Sequence, residues 1–208
     1  MARLSQYHGL DAIDFRLTDA ISDPPGENNA SYSEKLFRLP STFSCYGPDA
    51  NAPALSPLPA TKAGAVAFGC FNNFAKITPE VITLWARLLR DLPDARLHLK
   101  SRGLDDPSVA QQVLTAFANA GVARERVTLN GEELSVAEHL NLYRNVDIAL
   151  DPFPYNGTTT TCEALWMEYP LSHSRGRRTP HGSGRACSLT LNCVNGSRRR
   201  RRITWHWQ

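Results

Sequence analysis

The chain has 208 residues and a mass of 23.1 kDa, with 42% hydrophobic and 21% charged residues. That is enough for one α/β domain with its own core and too apolar for disorder by composition. No apolar run reaches the roughly 18 residues of a membrane-crossing helix, and the opening MARLSQYH carries no apolar leader, so neither a membrane partner nor a secretory route is expected and the expected location is cytoplasmic.

The net charge of +3 conceals an uneven split. Residues 171–208 hold nine arginines and no acid, which leaves 14 basic against 20 acidic residues, or −6, in residues 1–170. The basic pI near 8.7 therefore belongs to the tail. An acidic folded region argues against nucleic acid as a partner. Five scattered cysteines, with no CxxC pair, read as reduced thiols.

Residues 1–60 lack sustained periodicity and read as a connector. Asp23-Pro24-Pro25-Gly26 is a turn, the proline-rich stretch from Gly47 to Pro59 is extended, and Tyr32–Leu39 fits a short helix or a strand equally well. From residue 64 the pattern becomes regular. Ala65–Phe71 is a buried-strand run followed by the polar loop Asn72–Lys76. Thr78-Pro79-Glu80 starts a helix, with a hydroxyl N-cap, proline at N1 and an acid in the first turn. Its apolar stripe (Val81, Leu84, Trp85, Leu88, Leu89) carries it to about Asp91.

Strands are then predicted at Arg96–Lys100, Arg126–Leu129 and Asp147–Asp151. Helices are predicted at Pro107–Ala120, closed by Gly121, at Val136–Asn145 and at Thr159–Met167. Alternating strands and helices imply βαβ units and a parallel sheet. The fold class expected for residues 61–170 is therefore α/β, a Rossmann-like parallel sheet with flanking helices.

At Pro170 the pattern is expected to stop. Three explanations compete for residues 171–208: a basic tail centred on Arg198–Arg202, a zinc site from His173, His181, Cys187 and Cys193, and out-of-frame translation. The zinc spacings match no common ligand pattern. The abrupt loss of acids and of aliphatic periodicity inside a βαβ series favours the frame error.

In an open parallel sheet, ligands sit beyond the carboxyl ends of the strands, where helix N-termini bind phosphate through unsatisfied N–H groups. Two loops have suitable chemistry, Asn72–Lys76 and Asn156–Thr161. Four consecutive threonines, Thr158 to Thr161, are poor helix formers, so hydroxyls facing a ligand explain them better than capping alone. Lys76 is either a diphosphate partner or a solvated lysine. His139 is either a site residue or a satisfied surface histidine. Glu163 either accepts from ribose or sugar hydroxyls or sits in the first helical turn as a dipole-friendly acid. The chain contains neither Asp-x-Asp nor the phosphate-loop and dinucleotide glycine motifs, so no metal is expected to neutralise a diphosphate.

Four segments carry a resemblance: GLDAIDFRLTDAISDPPG (9–26), YSEKLFRLPSTFSCY (32–46), FGCFNNFAKITPEVITLWARLL (68–89) and DIALDPFPYNGTTTTCEALWMEYP (147–170). Over about three quarters of its length the chain resembles the C-terminal catalytic region of protein O-GlcNAc transferases, the bacterial tetratricopeptide-linked and SPINDLY-like family. The resemblance implies part of the donor-binding lobe of a GT-B glycosyltransferase. It implies inverting, metal-independent transfer of N-acetylglucosamine from UDP-GlcNAc to protein Ser or Thr, with no cofactor beyond that donor.

By position, Lys76 matches the family's diphosphate lysine, His139 a histidine near the nucleotide, and Thr159 and Thr160 the pair that holds the phosphates. Asn73 stands where the family has glutamine, Thr158 where other members have histidine, and Glu163 where an aspartate meets the uridine ribose. His8 precedes the match and takes no role. Because the other lobe and the tetratricopeptide repeats are not in the chain, the expectation is an incomplete and inactive fragment. Alternatives are a nucleotide-sugar-binding module without catalysis and a protein O-fucosyltransferase using a GDP donor.

Overall fold

The computed structural model describes residues 12–20, 22–26, 32–41, 46–174, 188–192 and 204–206. The arginine cluster 198–202, His8, His181, Cys187 and Cys193 lie outside the described residues. The chain divides into two units, residues 1–47 and 48–208.

In the first unit the ambiguous segment is a strand. Phe15–Asp19 (β1) pairs in parallel with Lys35–Leu39 (β2), with Phe15 opposite Lys35 and Leu17 opposite Phe37. The buried Asp23 ties this unit together. Its carboxylate accepts from Thr18 Oγ1 at 2.6 Å and Tyr32 Oη at 2.8 Å, while Arg38 Nε donates to its carbonyl at 2.7 Å.

The second unit begins with a short helical turn, Ala60–Ala63 (α1), that the sequence pattern does not announce. The expected series follows: Ala67–Cys70 (β3), Pro79–Asp91 (α2), Arg96–Lys100 (β4), Pro107–Asn119 (α3), Val127–Asn130 (β5), Val136–Asn141 (α4), Ile148–Leu150 (β6) and Thr159–Trp166 (α5). Caps set the helix starts. Thr78 Oγ1 accepts from Val81 N ahead of α2, and Asp106 accepts from Ser108 N and Val109 N ahead of α3. Ser135 and Glu138 form a reciprocal capping box on α4. The predicted third helix ends early, at Asn141, and its last residues, Leu142–Asn145, tighten into a 3₁₀ turn.

The chain does not leave the sheet at Pro170. Leu171–Ser174 (β7) pairs in parallel with β6, with Ala149 N donating to Pro170 O and Asp151 N to Ser172 O. Ser188–Asn192 (β8) and Thr204–His206 (β9) continue it antiparallel. Strand pairing thus prevails over the polar composition that suggested a stop. The order is β5-β4-β3-β6-β7-β8-β9, parallel through β7.

Each strand feeds two faces in alternation. Phe68, Cys70, Leu97, Leu99 and Leu150 join Val81, Trp85 and Leu89 of α2 and Val113, Leu114 and Phe117 of α3 in one apolar cluster. Ala149 and Leu171 join Leu140, Tyr143, Ala164 and Met167 in a second. Helices therefore cover both faces. No helix among the described residues is long and apolar enough to cross a membrane.

Gly69 in β3 faces Val146, and a Cβ there would collide with both Val146 γ-carbons. Val146 is fully buried and, being β-branched, cannot rotate away. Gly69→Ala is expected to destabilise the chain by about 1–3 kcal/mol, the usual cost of overpacking, as read from urea unfolding. An unchanged midpoint would show that Val146, just ahead of β6, does not approach β3 this closely.

Candidate active site

The strand order reverses between β3 and β6, and ligands of open parallel sheets bind in the crevice at such a reversal. The loops leaving those two strands are the two loops marked by the sequence. After β3, Phe74–Lys76 form a 3₁₀ turn whose start is capped by Asn73, its Oδ1 accepting from Ala75 N at 2.9 Å. Phe74 N donates to Ser101 Oγ at 2.9 Å. The turn delivers Lys76 across the crevice, where Nζ donates to Asn156 O at 3.1 Å and lies 4.5 Å from the Tyr155 ring centroid.

After β6, the turn from Pro152 to Gly157 is held from below by Asp151, a buried residue whose Oδ1 accepts from Gly157 N at 2.7 Å. Asn156 Nδ2 closes the turn on Pro152 O at 2.9 Å. Gly157 packs against the buried Asn72: a Cβ at 157 would lie 2.6 Å from Asn72 Oδ1 and would strike Thr160 Oγ1. Those two side chains bond to each other, Thr160 Oγ1 donating to Asn72 Oδ1 at 2.9 Å. Only a glycine lets this backbone come so close.

The four threonines divide their work. Thr158 occupies the N-cap of α5 but makes no side-chain cap bond, so the ordinary capping role expected of one threonine is not its own. Thr159 is exposed beside it. Thr160 bonds to Asn72, and Thr161 donates back to Gly157 O at 3.0 Å. The first N–H groups of any helix have no intrahelical acceptor. Those of α5 open on the same side of the sheet as Lys76.

His139 and Glu163 meet. His139 Nε2 lies 3.1 Å from Glu163 Oε2, with both side chains about 15% exposed. Glu163 lies beyond the first turn of α5, not in it, and one of its carboxylate oxygens faces His139 of α4. Phe71 stands edge-on to His139 and to Tyr143. Tyr143 stacks on Tyr169 and donates from its hydroxyl to Thr160 O at 3.2 Å. This aromatic wall ties α4 to the threonine turn.

The structure therefore brings Lys76 to the 152–157 turn and joins His139 to Glu163. Asn73 caps its own turn. Sequence reasoning missed Asn72, Asp151, Tyr143 and Tyr155. An acid closing an apolar strand was a usable signal for Asp151, whereas the Asn72–Thr160 bond spans 88 positions and leaves no local trace.

A parallel sheet whose order reverses at a crevice flanked by a lysine turn and a helix N-terminus is the Rossmann-like lobe of a GT-B glycosyltransferase. The sequence profile of glycosyl transferase family 41 matches residues 58–177, and the chain belongs to that family. It is 42% identical over 187 residues to a tomato (Solanum lycopersicum) protein named as a probable UDP-N-acetylglucosamine–peptide N-acetylglucosaminyltransferase SPINDLY, covering 90% of this chain and 20% of the relative. An Arabidopsis thaliana protein of the same name is 42% identical over 176 residues, covering 85% and 19%. A solved Thermobaculum terrenum O-GlcNAc transferase mutant superposes with a TM-score of 0.73 at 38% identity, covering 80% of this chain and 31% of that one. The chain thus spans about one fifth of the length of the curated relatives it matches.

Beneath the crevice, the Cys70 thiol is pushed up to about 12, chiefly by burial; hydrogen bonds from Asn72 oppose this, and the charge of Asp151 adds to it. The thiolate is the reactive form. Iodoacetamide at pH 8 is expected to label the half-buried Cys162 well before Cys70, as read by peptide mass spectrometry of briefly treated native protein. Equal labelling would contradict the sealed floor.

Proposed function

We propose that this lobe binds the nucleoside diphosphate of UDP-N-acetylglucosamine and serves, in the longer protein, the transfer of N-acetylglucosamine to Ser or Thr hydroxyls of proteins. The observation that carries the reading is the convergence of Lys76 with the turn that opens α5, one fixed cation and one helix N-terminus at a single crevice. The printed activity of the SPINDLY relatives supports the donor and the peptide acceptor. We further propose a cytoplasmic site of action, which the odd, scattered cysteines favour.

In such a transfer the acceptor oxygen attacks the anomeric carbon from the face opposite the diphosphate, and configuration inverts. Negative charge builds on the diphosphate as the sugar–oxygen bond breaks. Lys76 and the amides of Thr159 and Thr160 meet that charge, and such preorganised donors stabilise the transition state more than the bound substrate. Thr158 is exposed at the lip of the same turn. His139 and Glu163, held against each other and walled by Phe71, form the flank assigned to the nucleoside, with Glu163 accepting from a ribose hydroxyl. Asn73 supports this by shaping the lysine turn.

Calorimetry with UDP tests the reading. Lys76→Ala is expected to weaken UDP binding about tenfold or more, the scale of one charge-assisted hydrogen bond. Its melting temperature should stay unchanged, because Lys76 belongs to neither apolar cluster. EDTA should leave the affinity unaltered. Equal UDP affinity in the variant, or loss of binding with EDTA, would refute the metal-free diphosphate site. Preference for GDP over UDP would reassign the donor.

A further inference from the structure

One ammonium and one turn meet twice. Lys76 Nζ lies over the Tyr155 ring, 4.5 Å from its centroid, and donates to the carbonyl of the next residue, Asn156, at 3.1 Å. The turn is a rigid support, fastened by Asp151 to Gly157 N and by Asn156 Nδ2 to Pro152 O. Packing does not explain the aromatic side chain, since Tyr155 is 47% exposed and belongs to neither apolar cluster.

A cation is attracted to the face of an aromatic ring, and the ring consumes none of the ammonium's three donors. With one donor given to Asn156 O, others remain for an anion. An unrestrained lysine spends rotamer freedom when it is ordered by a ligand, and holding the ammonium in place beforehand removes that cost.

We propose that Tyr155 is a positioning residue for Lys76: its ring face and the Asn156 carbonyl hold the ammonium at the mouth of the β3/β6 crevice, ready for a diphosphate. The proposal rests on the reading of that crevice as a diphosphate site. The work is done by the ring and not by its hydroxyl, so phenylalanine serves and an aliphatic residue of similar bulk does not.

The test uses the 208-residue chain with carbon-13-labelled lysine, and UDP as the probe. Tyr155→Phe and Tyr155→Leu are made alone and together with Lys76→Ala. The Lys76 ε-methylene resonance is expected upfield, shifted by the ring current, in the parent chain and in Tyr155→Phe, and at its ordinary position in Tyr155→Leu. By calorimetry, Tyr155→Leu should raise the UDP dissociation constant about two- to fivefold, the ratio for an exposed cation–π contact. Tyr155→Phe should not, and Tyr155→Leu should add nothing once Lys76 is alanine.

An unshifted Lys76 resonance in the parent chain overturns the proposal. So does a Tyr155→Leu chain that binds UDP as the parent does while Lys76→Ala binds weakly, or a leucine effect that persists without Lys76. UDP binding indifferent to Lys76→Ala overturns the diphosphate reading itself, and with it the role of Tyr155, whatever the resonance shows.

Discussion

Asp147 accepts a hydrogen bond from Ala67 N at 2.8 Å through one carboxylate oxygen and from Ala60 N at 2.9 Å through the other. The residue is buried, and it sits where β6 begins beside β3. A backbone N–H left unpaired in the interior costs about 1–3 kcal/mol, and this carboxylate satisfies two of them, the first donor of β3 and the first donor of α1. β6 is only three residues long and meets β3 over two paired positions. So short a strand holds its register through the groups at its two ends. Asp147 fixes one end. Asp151, bonded to Gly157 N, fixes the other. The crevice lies beyond that second end, which makes the placing of β6 against β3 the condition for everything above it.

The site built on this frame uses its polar groups economically. Asn72 is buried under the loops, and both ends of its amide are occupied, by Thr160 Oγ1 and more weakly by Cys70 Sγ. A buried amide is tolerated because it is paired, and the pairing holds the two loops at one spacing. Gly157 is the position where that spacing is decided, since any side chain would drive Asn72 and Thr160 apart. By contrast, the groups assigned to ligand chemistry contribute little to the core. Lys76 rests on a turn, Thr158 and Thr159 stand at its lip, and His139 and Glu163 satisfy each other at the flank. Lys76, Thr158 and Thr159 therefore stand apart from the core, whereas Thr160, bonded to Asn72, and the His139–Glu163 pair, which joins α4 to α5, serve the frame as well as the site.

What the sequence made legible was what local chemistry determines. The helix over Pro79–Asp91 follows from Thr78, Pro79 and an apolar stripe, and its bounds agree with the structure. Gly121 closes α3 with φ at 83°, as a glycine after a helix does. The alternation of strand and helix sufficed for the parallel sheet. The β1–β2 pairing was not legible, because Tyr32–Leu39 is too short for periodicity to separate a strand from a helix. Nor was β7, whose polar sequence LSHS is held as a strand by pairing with β6 on one side and β8 on the other. At the site, the polar loops and the threonine run stood out as residue types with no structural use. The contacts among them did not, since His139 meets Glu163 across 24 positions and Lys76 meets Asn156 across 80.

In the proposed reading, the carboxyl ends of β3 and β6, and no other edge of the sheet, receive a nucleoside diphosphate. Titrating the nitrogen-15-labelled chain with UDP, and following every backbone amide by NMR, addresses it most directly. The largest shifts are expected at residues 72–76 and 156–161, with those at the carboxyl ends of β4 and β5 (residues 103–106 and 131–133) unmoved. Shifts concentrated at those latter residues, or no shift at saturating UDP, would contradict it.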